Sequence, residues 1–463
     1  MMKKTPLYLT GMLLMLTSIS GYSQAHKELS LSRLWELTAD QYPSLAEKQA
    51  KIGESEYRKK ELRNAAIPTV QLQLQNSLGT FEGTSGAFFP VPGVFNVSGT
   101  GGNGQQGAGT TTMNSFGSVL MDWKISQFGK QQKQIEAAGY EVQEAQSNYD
   151  ASKLSLRAKT TRRYLDLLYT SSGRDWADKN AVRVKEILDL SVSLAEAGLK
   201  PGADTALAAA AFLQAQAQQE DWNGKYQAGQ VNIKELAPTL VGEQIVPLQQ
   251  YMGKVFTLES TDSVVATHPF LQTLDKQLMV QQLQKEVIGK KQLPSISLLA
   301  GYSARGTGIN ADGTVQNNYA SGFNNGAQNY LVGVGLSWNL TGLYTGSVEK
   351  KRAQKQIDAA QSRYQLQKLQ MNTSLQALSS RIQAQVKQVA KTESAVHKTT
   401  DAYDLYLSRY EAGLINLTDL LQIQSLLQQV EKSNIEVHQE LWTQLNTKAE
   451  LSGDYSFLFN QLK

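Results

Sequence analysis

The chain carries one structural plan written twice, and this duplication limits its fold more than any single motif does. Glu196-Ala197-Gly198-Leu199 returns as Glu411-Ala412-Gly413-Leu414, 215 positions later. The same offset carries Trp123 onto Trp338, Tyr149 onto Tyr364, Asp204 onto Asp419 and Glu235-Leu236 onto Glu450-Leu451. Upstream the offset grows to 226, matching Tyr42-Pro43 to His268-Pro269 and Ile67-Pro68 to Leu293-Pro294. The eleven-residue difference falls between Pro68 and Trp123, in a Gly-rich stretch where length is free to vary. Each half reads helix, strand, loop, strand, long helix, turn, helix. The halves are assigned to residues 25–245 and 246–463, and they form one body because each leaves apolar faces to be covered.

The N-terminus predicts export. Lys3 and Lys4 precede a short apolar core over 7–16, and small residues around Ser23 and Ala25 offer a cleavage site, so residues 1–24 read as a signal peptide. Beyond it no stretch approaches the roughly 20 apolar residues of a membrane helix. The net charge of +4 gives no global pull towards nucleic acid. The chain has no Cys, which excludes disulfides, thiolate metal sites and lipid attachment through an N-terminal cysteine.

Four segments depart from helical periodicity and alternate with period two, near 68–78, 114–127, 294–304 and 329–341. In the last, Tyr330, Val332, Val334, Leu336, Trp338 and Leu340 oppose Gly333, Gly335, Ser337 and Asn339. Such alternation marks a strand between lipid and water, or a half-buried strand in a soluble sheet. The connecting stretches favour the first: 79–113 and 305–328 are long, rich in Gly, Asn, Ser and Thr, and have little to bury. Long loops of this kind are uncommon in compact soluble domains and ordinary on the outer side of a membrane barrel. Trp123 and Trp338 fall at strand ends, where an aromatic girdle would lie.

After each second strand comes a very long helix, over 130–196 and 348–411, neither broken by Pro. In the second, Met371, Leu375, Leu378, Ile382, Val386, Val389, Val396, Tyr403, Leu407 and Tyr410 follow coiled-coil steps, and Leu420, Ile423, Leu427, Val430, Val437 and Leu441 continue them. A short turn between the two makes an antiparallel hairpin. The returning helix of the first half, through 206–217, is rich in Ala and Gln and should pack closely with less apolar burial. Gly198 and Gly413 suit the left-handed residue that ends a helix. Asp204 and Asp419 lie at the starts of the returning helices, suited to capping them and to the positive end of the dipole.

With these features in place, the chain resembles the TolC family of outer-membrane efflux proteins over nearly all of 29–451. The Tyr-Pro and His-Pro helix starts, the Ile-Pro and Leu-Pro strand starts, and Glu-Ala-Gly-Leu followed by Asp carry the likeness through their ordered repetition. Four strands cannot close a barrel alone, so they must come from several copies, and two, three or more satisfy the arithmetic. The resemblance implies three. The implied fold is an α+β membrane protein: a homotrimer with a shared twelve-stranded outer-membrane β-barrel, continued across the periplasm by a tunnel of helical coiled-coil hairpins. The implied function is the exit duct of a tripartite efflux or type I secretion system, which meets a periplasmic adaptor and an inner-membrane pump and passes small molecules or proteins outward. Adaptor-docking tips fall on Gly198, Leu199, Gly413 and Leu414. A periplasmic gate falls on Asp204, Asp419 and Gln422. Family members often pair two Asp one turn apart in the second repeat, and here the second position is Gln422, which leaves half of that acidic ring. Lys200-Pro201-Gly202 also departs from the pattern and stiffens the first tip.

Two rival readings are weaker. The four His (26, 268, 397 and 438) form no ligand or catalytic spacing, and Gly102, Gly104 and Gly107 match a dinucleotide loop without its strand–helix setting, so no enzyme and no cofactor is expected. A non-channel coiled-coil protein of the cell envelope would share the heptads and the signal, yet would not need four alternating strands at duplicated positions.

Overall fold

The computed structural model describes residues 27–80, 111–240, 245–247, 264, 267–312, 314–456 and 458. The expected signal peptide and the Gly102–Gly104–Gly107 pattern lie outside the described residues. The chain begins with β1 (Lys27–Leu29), α1 (Leu31–Gln41) and α2 (Pro43–Asn64), then β2 (Thr69–Thr80), β3 (Thr111–Ser126), α3 (Lys130–Glu196) and α4 (Gly202–Leu236). A short β4 (Ile245–Pro247) pairs in parallel with β1 and straddles the junction of the halves. The second half follows with α5 (Pro269–Lys291), β5 (Ser295–Thr307), β6 (Ala327–Ser337), α6 (Gly342–Glu411) and α7 (Leu417–Ser452).

Proline sets the punctuation. Pro43 and Pro269 occupy the first positions of α2 and α5, where the missing N–H costs nothing and the fixed φ already suits a helix. Pro68 and Pro294 push the residue before them out of helical geometry, and each is followed at once by a strand. The expected strands are present with small shifts at their ends. The largest is in β6, which stops at Ser337, because Asn339 turns the chain: its Oδ1 accepts the Gly342 N–H at 3.1 Å. Trp338 and Leu340 therefore lie just past the strand, and α6 starts six residues before the expected Val348.

β2, β3, β5 and β6 form one antiparallel sheet in that order, open at β2 and β6. Below it, α2, α3, α5 and α6 pack side by side in the same order. α3 and α6 run 67 and 70 residues, about 100 Å each at 1.5 Å per residue. In the second hairpin the expected seam is buried: Met371, Leu375, Leu378, Ile382, Tyr403 and Tyr410 against Leu420, Leu427, Val437 and Leu441. The first hairpin packs on small residues, with Ala181 and Val184 against Ala211, Phe212 and Ala215. Within this hairpin Gly173 lies under Trp222. The halves are knitted at mid-length by a core in which Trp35, Tyr164, Leu165, Leu168, Trp442, Leu445 and Tyr455 come from both ends of the chain.

Candidate conduit surfaces: sheet face, tryptophan row and hairpin tips

The sheet register gathers the apolar side chains onto one face. Val70, Met121, Ala300 and Val332 form one cross-strand row. Leu72, Val119, Tyr302 and Tyr330 form the next, and Trp123, Leu298 and Val334 another. Leu72, Val119, Tyr302, Val332, Val334 and Leu336 are exposed. The opposite face carries Thr69, Asp122, Leu299 and Gly333, then Gln71, Leu120, Gly301 and Leu331, then Gln73, Ser118, Ser303 and Asn329, and is the more polar of the two. An exposed apolar face backed by a polar one is the arrangement of a strand set between bilayer and aqueous lumen.

Both tryptophans make the same bond. Trp123 Nε1 donates to the Ala66 carbonyl at 2.9 Å, and Trp338 Nε1 to the Gln292 carbonyl at 3.0 Å. Ala66 and Gln292 are repeat equivalents just before Pro68 and Pro294, so each indole ties the end of one strand to the helix that leads into its neighbour. A second aromatic row, Tyr302 and Tyr330, stands opposite, and Tyr302 Oη donates to Gln328 Oε1 at 2.9 Å. From Tyr330 on β6 to Trp338 just past its end is eight residues, roughly 26 Å of strand, which at a tilt of about 40° rises about 20 Å, on the scale of a barrel's apolar band. The sequence held this second row, hidden because Tyr counts as an apolar face residue in an alternating strand.

The two tips close identically. Gly198 N–H donates to Ala195 O and Leu199 N–H to Leu194 O; Gly413 N–H donates to Tyr410 O and Leu414 N–H to Arg409 O. Both glycines have φ +72°, the left-handed geometry this closure requires. The leucine after the glycine usually folds back on the helix; here Leu199 is 70% exposed and Leu414 74%. Asp204 and Asp419 are in the first turns of α4 and α7 without being the capping residues. Pro201 and Asn416 hold the cap positions, and Asn416 Oδ1 accepts the Asp419 N–H at 2.9 Å. The capping expectation is thus corrected, because the caps lie three residues earlier than the aspartates. Among the described residues neither carboxylate has a side-chain hydrogen bond or ion pair. Gln422 is exposed one turn beyond Asp419.

Lys200 joins the two tips: its Nζ donates to the Ile415 carbonyl at 3.0 Å and lies 5.4 Å from the Tyr410 ring centre. Burial, with the Asp204 charge adding, raises the Tyr410 hydroxyl above its ordinary range. Above the tips, α3 and α7 are laced by polar rungs. Gln424 donates to Asn180 Oδ1 at 2.7 Å, Gln439 to Asp166 Oδ1 at 3.0 Å, and Asn446 to the Ala158 carbonyl at 3.0 Å. Glu431 receives both ends of the Arg183 guanidinium and, at 3.1 Å, Trp176 Nε1. Tyr403, buried nearby on α6, has its hydroxyl pushed up to about 12 by desolvation.

Among the described residues no helix is long and apolar enough to cross a membrane. A four-stranded sheet with open edges and an exposed apolar face, continued by helices about 100 Å long, defines a transmembrane conduit assembled from several copies. The family described as outer membrane efflux protein matches residues 34–237 and 262–454, and the chain belongs to that family. No curated protein sequence matches it. Its fold is similar to that of VceC from Vibrio cholerae, at 13% identity over 92% of this chain and 97% of that one, TM-score 0.72. The Campylobacter jejuni channel CmeC is similar at 13% identity, 100% and 97% coverage and TM-score 0.72. CusC is similar at 12% identity, 97% and 99% coverage and TM-score 0.74. The protein is an outer-membrane efflux channel with a periplasmic helical tunnel, not an enzyme. Channels of this family are homotrimers that work with periplasmic adaptors and inner-membrane pumps.

Proposed function

We propose that this chain is the exit duct for small molecules, docked by its adaptor at Gly198-Leu199 and Gly413-Leu414 and gated at Asp204 and Asp419. The observation that carries this is the shared tip geometry: each closure leaves a leucine bare at the extreme end, with an unpartnered carboxylate in the first turn behind it. A bare leucine on a backbone fixed by left-handed glycine is a preorganised apolar knob for a partner hairpin. A ring of carboxylates just inside would hold cations at the constriction. Gln422 where a second Asp could stand weakens that ring. Trp123 and Trp338 form the periplasmic girdle of the barrel, and the apolar rows above them meet lipid.

The gate is tested by Asp419→Ala in single-channel recordings of the trimer in planar bilayers. Resting conductance should rise and block by divalent cations should weaken. Currents identical to the parent's would remove Asp419 from the gate.

A further inference from the structure

The segment between β5 and β6, residues 308–312 and 314–326, folds back onto the exposed face of the sheet. A Cβ on Gly306 would fall 2.5 Å from the Gly322 carbonyl oxygen, and one on Gly322 would fall 3.1 Å from Met113 Cβ. Met113 and Gly306 share strand parity with Val119 and Tyr302, so the covered face is the apolar one. The fold-back is pinned: Thr307 N–H donates to Asn324 O at 2.9 Å, and Asn325 Nδ2 to Ile309 O at 2.8 Å. Its helical turn, Tyr319–Phe323, makes a shelf about 13 Å of strand above the Tyr302–Tyr330 row. Tyr319 and Phe323 stand out from it, 85% and 72% exposed.

Between shelf and tyrosine row lies a groove of about 670 Å³, bordered by Leu74, Asn76, Gly117, Ala304, Phe323 and Gln328. Its floor joins Leu74, Gly117 and Ala304 with the polar Asn76, Ser115 and Gln328, and it runs in register into the exposed apolar rows below. Residues 308–326 hold one charge, Asp312, with many amides and two bare rings, and Arg305 is the one cation among the residues that line the groove. That chemistry suits hydroxyl-rich sugars stacked on aromatic faces, which a phospholipid head group lacks. We propose that the groove seats a glycolipid of the outer leaflet, one acyl chain along the floor and its sugars against Tyr319 and Phe323. The proposal rests on the apolar sheet face being the lipid face, and the groove's continuity with that face selects a lipid as occupant.

The test is native mass spectrometry of the intact trimer in mild detergent, titrated with rough-type lipopolysaccharide or with phosphatidylethanolamine. The parent should bind the glycolipid at least tenfold more tightly than the phospholipid. Tyr319→Ala/Phe323→Ala, which removes only exposed rings, should abolish that preference and keep the trimer. Gly117→Leu, which fills the floor, should weaken the glycolipid in the same assay. A parent without preference, or a double variant that keeps it, overturns the proposal. A double variant that falls to monomers overturns it too, assigning the shelf to contact between copies. A parent that stays soluble without detergent overturns the lipid-face reading itself, a result distinct from the others.

Discussion

Gly173 and Trp222 show how one residue sets the spacing of two helices. The Trp222 ring lies edge-on to Tyr169 and Trp176, and a Cβ on Gly173 would fall 2.2 Å from its carbons. Ala is the better helix former by up to about 1 kcal/mol, yet forced overpacking costs about 1–3 kcal/mol. Gly173→Ala should therefore lower the thermal dissociation midpoint of the detergent-solubilised trimer. Gly224→Ala, two residues beyond Trp222 with nothing within 4 Å, should leave it level or raise it. Shifts of the same sign and size would exclude the ring contact as the cause. The sequence could not announce this pair, because a glycine inside a helical pattern reads as a weakness and its partner lies on the returning helix. Gly198 and Gly413 were legible for the opposite reason: repetition in an identical four-residue setting assigned their left-handed geometry. The Lys200 bond to a carbonyl left no signature, since every residue offers that acceptor.

At the scale of elements, hairpins were readable and the seam between them was not. The second hairpin's apolar steps are periodic and its two helices adjacent, so pattern alone pairs them. The rungs between α3 and α7 join residues more than 200 positions apart through Asn, Gln, Asp and Glu, which mid-helix normally face water. A duct that opens at its tips must strain these rungs from the tip upward, beginning with Lys200. Lys200→Met should broaden the distance distribution between spin labels at positions 199 and 414, read by pulsed electron resonance on the trimer. Its effect on the thermal midpoint should stay small, since this half-buried lysine contributes one bond and one ring contact at the tip. A distribution as narrow as the parent's would mean that this lysine ties nothing. Strand ends were legible only roughly: alternation carries on through Trp338 and Leu340, while Asn339 has already turned the chain.

For the whole molecule, the sequence marked which face meets lipid but not how many copies close the barrel. Alternation is a local property, whereas copy number depends on how the β2 and β6 edges meet, and the family relationship supplies it. The face assignment is tested by two neighbouring arginines. Val334 lies midway between Tyr330 and Trp338 on the apolar face, so Val334→Arg should cost about 2–4 kcal/mol of insertion into bilayers. Gly333→Arg, one residue away on the face shared with Asp122, has open space and should insert nearly as the parent does. Equal losses, measured as folded trimer recovered in liposomes, would refute the assignment.

The unbroken helices have a mechanical consequence. α3 and α6 each run from the strand ends to the tips without an internal proline, and the indole bonds of Trp123 and Trp338 fasten the barrel beside their upper ends. A rod about 100 Å long, tilted by about 3° at its fastened end, carries its far end sideways by about 5 Å. Leverage of this kind lets the periplasmic aperture change by more than the width of a hydrated ion while the wall in the bilayer barely deforms. The membrane seal and the gate can therefore work as separate parts of one molecule.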